Sequence, residues 1–133
     1  MRFLDTNIIL RYITNDIPAE SLKCERLLKN AAKSKEALFT NAMVIAEVVW
    51  VLFSAYRFPK NNVISGVQKI LNSPNIYLDD KDLLLSALYI FENNNIDFID
   101  AYNAAVMEYK EIEIIYSYDK HYDQIKKIKR IEP

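Results

Sequence analysis

Five short apolar runs punctuate this chain, and the stretches between them repeat at helical spacing. The runs are "RFLD" at the start, then "EALFT", "NIYL" and "EIEIIYS", and "KIKRI" near the end. After the first, Ile8, Ile9, Tyr12 and Ile13 recur as one face of a helix does. Pro18 can stand in the first turn of a second helix, which the pattern carries to about Lys35. A strongly apolar helix is expected from about Ala42 to Tyr56. Val63, Val67, Ile70 and Leu71 mark another, ended by Ser73-Pro74, because the residue before a proline is pushed out of the helical region. Asp80 is placed to cap a helix carrying Leu84, Leu88 and Phe91, which the turn-forming "NNN" stops. "DFIDAYNAAVMEYK" reads as helix with Ile99, Tyr102, Ala105, Val106 and Tyr109 on one side. A short helix is expected around Asp119 to Lys126. Strands alternating with helices imply βαβ units, hence an α/β fold with a mostly parallel sheet covered on both faces. In such sheets, sites collect at the carboxyl ends of the strands.

Nothing in the composition divides the chain, 51% of whose residues are hydrophobic, and residues 1–133 are read as one domain with a sizeable core. Lysine plus arginine (17) nearly balances aspartate plus glutamate (18), so a nucleic-acid partner would have to bind through a local patch. The single cysteine, Cys24, lies on an apolar helix face with Leu27, Leu28 and Ala31 and is expected in the core of a reduced, cytoplasmic protein. No signal peptide is expected. The longest apolar stretch, "AMVIAEVVWVLFSAY", carries Glu47 and falls short of a bilayer span, so no membrane is expected either.

Several acids stand at awkward places in this pattern. Asp5 ends the first strand, between two apolar runs, with the Thr6 hydroxyl and the Asn7 amide directly after it. It would serve as an ordinary helix cap. Glu47 sits in a helix that is apolar nearly all round, where an ionised carboxylate costs several kcal/mol unless paired or bound to a cation. A partner such as Arg11 or Arg57, or a solvent-exposed window, would also account for it. Asp97 and Asp100 open the helix "DFIDAYNAAVMEYK", where a cap and the helix dipole both favour acids. Asp119 follows the fourth strand, and Ser117 can make a local turn there. Each has a plain reading singly. Together Asp5, Glu47, Asp100 and Asp119 recur at strand ends and early helical turns along one edge of a parallel sheet. Carboxylates gathered there repel one another unless a cation shares them. All-oxygen ligation without Cys or His suits Mg²⁺, or Mn²⁺, rather than zinc.

"FLDTNIILRYI", "VIAEVVWVL", "DFIDAYNAA" and "YSYDKHYD" resemble the four acidic motifs of the PIN-domain family, and their spacing is most similar to that of VapC-type ribonuclease toxins. The resemblance runs nearly end to end. It implies a three-layer α/β/α sandwich and a Mg²⁺-dependent endoribonuclease leaving 5′-phosphate ends. It also implies a homodimer and a small antitoxin that occupies the active site. Carried over by position, Asp5, Glu47 and Asp100 match the metal-binding triad, and Asp119 matches the fourth, more variable acid. Asn7 and Ser117 match polar positions beside the first and last acids, and Asp97 an acid that is less constant. The departures are few glycines and a divergent tail.

Metal-activated water needs no covalent nucleophile. With His121 the only histidine, a two-histidine ribonuclease mechanism is excluded by counting. Arg11, in the helix after Asp5, is the first place to look for a phosphate or antitoxin contact. Lys120, Lys126, Lys127, Lys129 and Arg130 cluster near the last motif, as a basic track or as an ordinary solvated face. The turn after the first strand contains no glycine, and Gly66 falls inside a helix, so a phosphate-cradling loop is excluded. A phosphoaspartate receiver would show an adjacent acidic pair at the first strand, which is absent. The remaining alternative is a catalytically silent PIN-like module that binds RNA or a partner.

Overall fold

A computed structural model describes every residue from Met1 to Pro133. The chain forms two compact units, Met1–Lys81 and Asp82–Pro133.

The first unit runs β1 (Arg2–Phe3), α1 (Thr6–Thr14), α2 (Pro18–Ser34), β2 (Leu38–Phe39), α3 (Ala42–Trp50), a π-helical turn (Val51–Ala55), α4 (Lys60–Leu71) and β3 (Ile76–Tyr77). Its strands pair in parallel in the order β1-β2-β3, with Arg2 opposite Leu38 and Leu38 opposite Ile76. Hydrogen bonds continue past the short strands, from Leu4 N to the Phe39 carbonyl at 2.7 Å and from Thr40 N to the Tyr77 carbonyl at 3.0 Å. The fully buried Thr40 hydroxyl donates to the Leu4 carbonyl at 3.0 Å and ties two strand ends together.

Local chemistry sets the helix limits. Pro18 opens α2, where its missing N–H has no intrahelical partner to lose. Asn15 (φ 52°) and Lys35 (φ 56°) close α1 and α2 in the left-handed conformation. Asn tolerates that region, whereas Lys35 adopts it at some cost in strain. The Asn41 side chain accepts a hydrogen bond from Val44 N at 3.0 Å and starts α3. The helical stretch from Ala42 reaches Ala55, close to the expected limit, but its last turn is π-helical.

The core of this unit is Ile9, Ile45, Val48, Val49, Leu52, Val63, Val67, Ile70 and Leu71, all essentially inaccessible. Each such side chain contributes roughly 1.5–3 kcal/mol of transfer free energy. α3 packs on α1 and on α4. Gly66 of α4 lies close against α1: a β-carbon there would stand 3.1 Å from Ile13 Cγ2. Two expectations need correction. α3 is not apolar-buried all round, because Met43 and Trp50 are 76% and 65% exposed. Cys24 and Ala31 are buried as expected, but Leu27 is exposed.

The second unit contains α5 (Lys81–Asn93, opening at the boundary), α6 (Phe98–Tyr109), β4 (Ile114–Tyr116), a 3₁₀ turn (Lys120–Gln124) and β5 (Lys129–Ile131). β4 and β5 pair in parallel, Ile114 opposite Lys129 and Tyr116 opposite Ile131. A parallel pair needs a crossover of roughly a dozen residues, which the 3₁₀ turn and its flanks supply. The strand pairings are therefore all parallel, as the alternating pattern predicts, hydrogen-bonded as a trio in one unit and a pair in the other.

The buried stripe of α6 is Phe98, Ala101, Ala104, Ala105 and Met107. Ile99 and Tyr109, expected on that side, are 54% and 74% exposed. Phe98 meets Phe91 of α5 edge-to-face at 5.9 Å and 89°. No helix of the chain is long and apolar enough to cross a membrane.

Candidate functional site

Asp5 follows the buried Leu4 and stands at the N-cap position of α1 with extended backbone (φ −88°, ψ 163°). Its carboxylate makes no capping hydrogen bond and is exposed, so capping is not what this side chain does here. The next residue supplies the long-range tie. Thr6 is buried, and its hydroxyl donates to Glu47 Oε2 at 2.6 Å. That bond brings a carboxylate of α3 to the first turn of α1, beside Asp5. Glu47 is itself exposed and takes Thr6 rather than Arg11 or Arg57 as partner. Of the two plain accounts of Glu47, an arginine partner or an opening to solvent, the structure shows the opening. Met43, Glu47 and Trp50 share the outward face, while Val44, Ile45, Val48 and Val49 face in.

In the second unit, Asp97 caps α6 by position (φ −70°, ψ 156°) without a side-chain hydrogen bond. Asp100, one turn on, is half-buried. Its Oδ1 accepts a hydrogen bond from the Tyr122 hydroxyl at 2.9 Å, and the Tyr122 oxygen accepts one from Asn103 Nδ2 at 3.2 Å. Burial pushes the Asp100 carboxyl above its ordinary range, and the negative charges of Asp119 and Asp97 push the same way. Asp119 caps the 3₁₀ turn: its Oδ1 accepts from His121 N at 2.8 Å and lies 2.7 Å from His121 Nδ1. Those bonds from His121 hold Asp119 below the usual carboxylate range. The two acids also act directly on each other, raising Asp100 and lowering Asp119. Close carboxyls behave so when one gives up its proton at the other's expense. Ser117 Oγ accepts from Asp119 N at 3.0 Å, the local turn expected of it. In neither unit do three acidic, histidine or cysteine side chains converge to metal-holding distance.

Residues 2–128 match the family model described as the PIN domain. The chain belongs to the PIN-domain family. Its α/β architecture of helices and parallel strands is the fold that this family predicts. Over 126 residues it is 21% identical to a VapC ribonuclease of Aquifex aeolicus (strain VF5), covering 94% of this chain and 92% of that one. A solved structure of VapC20 from Mycobacterium tuberculosis, a toxin that cleaves the sarcin–ricin loop, aligns over 100% of both chains with 21% identity and a TM-score of 0.45.

Other residues of this PIN chain are spoken for within their own units. Arg11 donates to Glu20 at 2.7 Å and to Asp16 at 2.9 Å, and the Glu20 bond raises its pKa further. Arg11 nonetheless lines a shallow cavity of about 310 Å³ with Asn7, Ile8, Glu20, Lys23 and Cys24. Near the last motif, Lys127 pairs with Glu108, and Arg130 with Asp123 and Glu132. Two residues escaped the sequence reading, Asn103 and Tyr122. The signal for Asn103 was its spacing of three from Asp100, which puts both on one helix face. Tyr122 stands three after Asp119, but nothing local announces that its hydroxyl reaches a residue 22 positions away.

Proposed function

We propose that this chain is a divalent-metal-dependent endoribonuclease of the VapC type, the toxin of a type II toxin–antitoxin pair, acting in the cytoplasm. The match to the PIN family and the near full-length likeness to a VapC ribonuclease support the activity. The observation that carries the chemistry is the carboxyl pair of the second unit, Asp100 raised by burial beside the anionic Asp119. Such a pair favours a cation as its third member. Oxygen donors alone suit Mg²⁺, with Mn²⁺ as substitute. Asp5, Glu47, Asp100 and Asp119 are the ligands in this reading, with Thr6, Asn7, Asp97 and Ser117 in support.

A bound divalent ion supplies charge neutralisation at a scissile phosphate and lowers the pKa of a water molecule. The chain's own groups orient the acids. Thr6 fixes Glu47, His121 and Ser117 fix the Asp119 turn, and Tyr122 fixes Asp100. Arg11 is proposed as a contact for a substrate phosphate or for the antitoxin, from the wall of the cavity it lines with Asn7. The family match extends through both units and supports reading residues 1–133 as one PIN domain. A homodimer and an antitoxin that occupies the acidic site complete the proposal.

Purified protein incubated with cellular RNA in Mg²⁺, with and without chelator, tests it. Cleavage that leaves 5′-phosphate ends and stops with chelator is expected. Absence of cleavage, or cleavage untouched by Asp5→Asn and Asp100→Asn, overturns the nuclease reading in favour of a silent RNA- or partner-binding module.

A further inference from the structure

Asp100, Asn103 and Tyr122 form a hydrogen-bonded relay with one direction. Tyr122 is 3% exposed, so packing holds its ring, and its hydroxyl sits between two polar groups. Asn103 is one turn beyond Asp100 on α6, and its amide donates to the phenol oxygen at 3.2 Å. With that lone pair engaged, the single phenol proton is directed to Asp100 Oδ1, at 2.9 Å. One carboxylate oxygen of Asp100 is thereby engaged and the side chain's rotation is stopped, leaving Oδ2 without a bond from this relay. Tyr122 also belongs to the 3₁₀ turn that Asp119 caps. The same phenol therefore ties the segment carrying Asp119 to the helix carrying Asp100.

We propose that Tyr122 is a positioning residue for the divalent cation: aligned by Asn103, its hydroxyl holds one oxygen of Asp100 and presents the other as a single-oxygen ligand. The proposal rests on Asp100 being a metal ligand. Hydrogen bonds of this kind to a ligating carboxylate set its orientation, and their loss weakens metal affinity about 10- to 100-fold in characterised sites.

The test is calorimetric titration of the whole chain with Mn²⁺, free of RNA, with a thermal melt of each variant. Asp100→Asn is expected to abolish binding. Tyr122→Phe keeps the buried ring and removes only the hydroxyl, and we expect its affinity to fall about tenfold. Asn103→Ala leaves the phenol in place but unaligned, and a smaller loss of roughly threefold is expected, below the range for a partner that bonds the ligand directly, because Asn103 acts on Asp100 only through the phenol. Both variants should melt cooperatively. If Tyr122→Phe and Asn103→Ala bind Mn²⁺ as the parent does while Asp100→Asn does not, the metal site stands and the positioning role is overturned. That role is equally overturned if Tyr122→Phe lowers only the melting temperature. If Asp100→Asn binds as the parent does, the metal reading fails and takes this proposal with it. Should Tyr122→Phe not fold, Asn103→Ala decides alone, because Asn103 is on the exposed surface of α6.

Discussion

The acids of the first unit stand on an apolar frame, whereas those of the second sit in a polar network. Asp5 and Glu47 are exposed, and their backbone neighbours Leu4, Ile9, Ile45 and Val48 are buried almost completely. Packing there fixes the chain and leaves the carboxylates in water, with one hydroxyl, that of Thr6, bridging to Glu47. Asp100 is drawn partly out of water and held by a phenol, an amide behind it and a neighbouring acid. Rigid backbone positions a carboxylate cheaply but leaves its rotamer free. A network fixes the rotamer and burdens the folded protein with a half-desolvated acid.

The largest effects are expected at the acids themselves. Asp5→Asn and Asp100→Asn should each lower RNA cleavage by more than about 100-fold, beyond the usual loss of an outer hydrogen-bond partner. Their stabilities should diverge. Asp100 has a raised pKa in the folded state, so the folded protein binds protons more readily, and stability falls as pH rises through the range between its unfolded and folded values. Asp100→Asn removes that burden and should raise the thermal midpoint in metal-free buffer at pH 7. Asp5→Asn, an exposed change, should move it by no more than about 0.5 kcal/mol equivalent. Equal shifts in the two melts would erase the distinction between frame and network.

Much of this was legible in the chain. Strand order along the sequence, the helix start at Pro18 and the acids at strand ends or early helical turns follow from period and capping chemistry, which act over a few residues. What escaped was long-range. The outward face of α3 carries Met43 and Trp50, large apolar side chains that a periodicity argument assigns to the core. On α6 the face with Phe98 and the alanines, not the face with Ile99 and Tyr109, is buried, and Phe98 meets Phe91 of α5 there. Arg11 turned out to be paired with Asp16 and Glu20, across a turn whose course depends on the left-handed Asn15. The phenol of Tyr122 could not be assigned to Asp100 without the path of the chain between them.

Next in size is damage to the frame. Ile45→Ala removes a fully buried side chain two residues before Glu47, on the opposite, inward face of α3, and should destabilise by about 2–5 kcal/mol in denaturant titration. Thr6→Val keeps the shape and removes the bridge to Glu47. The carboxylate can be hydrated instead, so the loss should be near 1 kcal/mol. If Thr6→Val costs as much as Ile45→Ala, the first unit is also built on a polar network.

The smallest expected effect concerns Asp16, the one polar knot of the first unit. Its carboxylate accepts from Tyr56 at 2.6 Å, from Thr14 at 2.9 Å and from Arg11 at 2.9 Å. The Tyr56 hydrogen bond is the main reason that its pKa is lowered. A depressed folded-state value means stabilisation that is present above the unfolded pKa and lost as pH falls through the folded one. Asp16→Asn should therefore melt slightly below the parent at pH 7 and pH 5, and the gap should close as pH falls below about 4, the unperturbed value for Asp. Melts at pH 7, 5 and 3 measure it, and the exposed setting keeps the shift small. A gap that persists unchanged to pH 3 would mean that the knot works through its neutral hydrogen bonds, and charge would then play no part in placing Arg11.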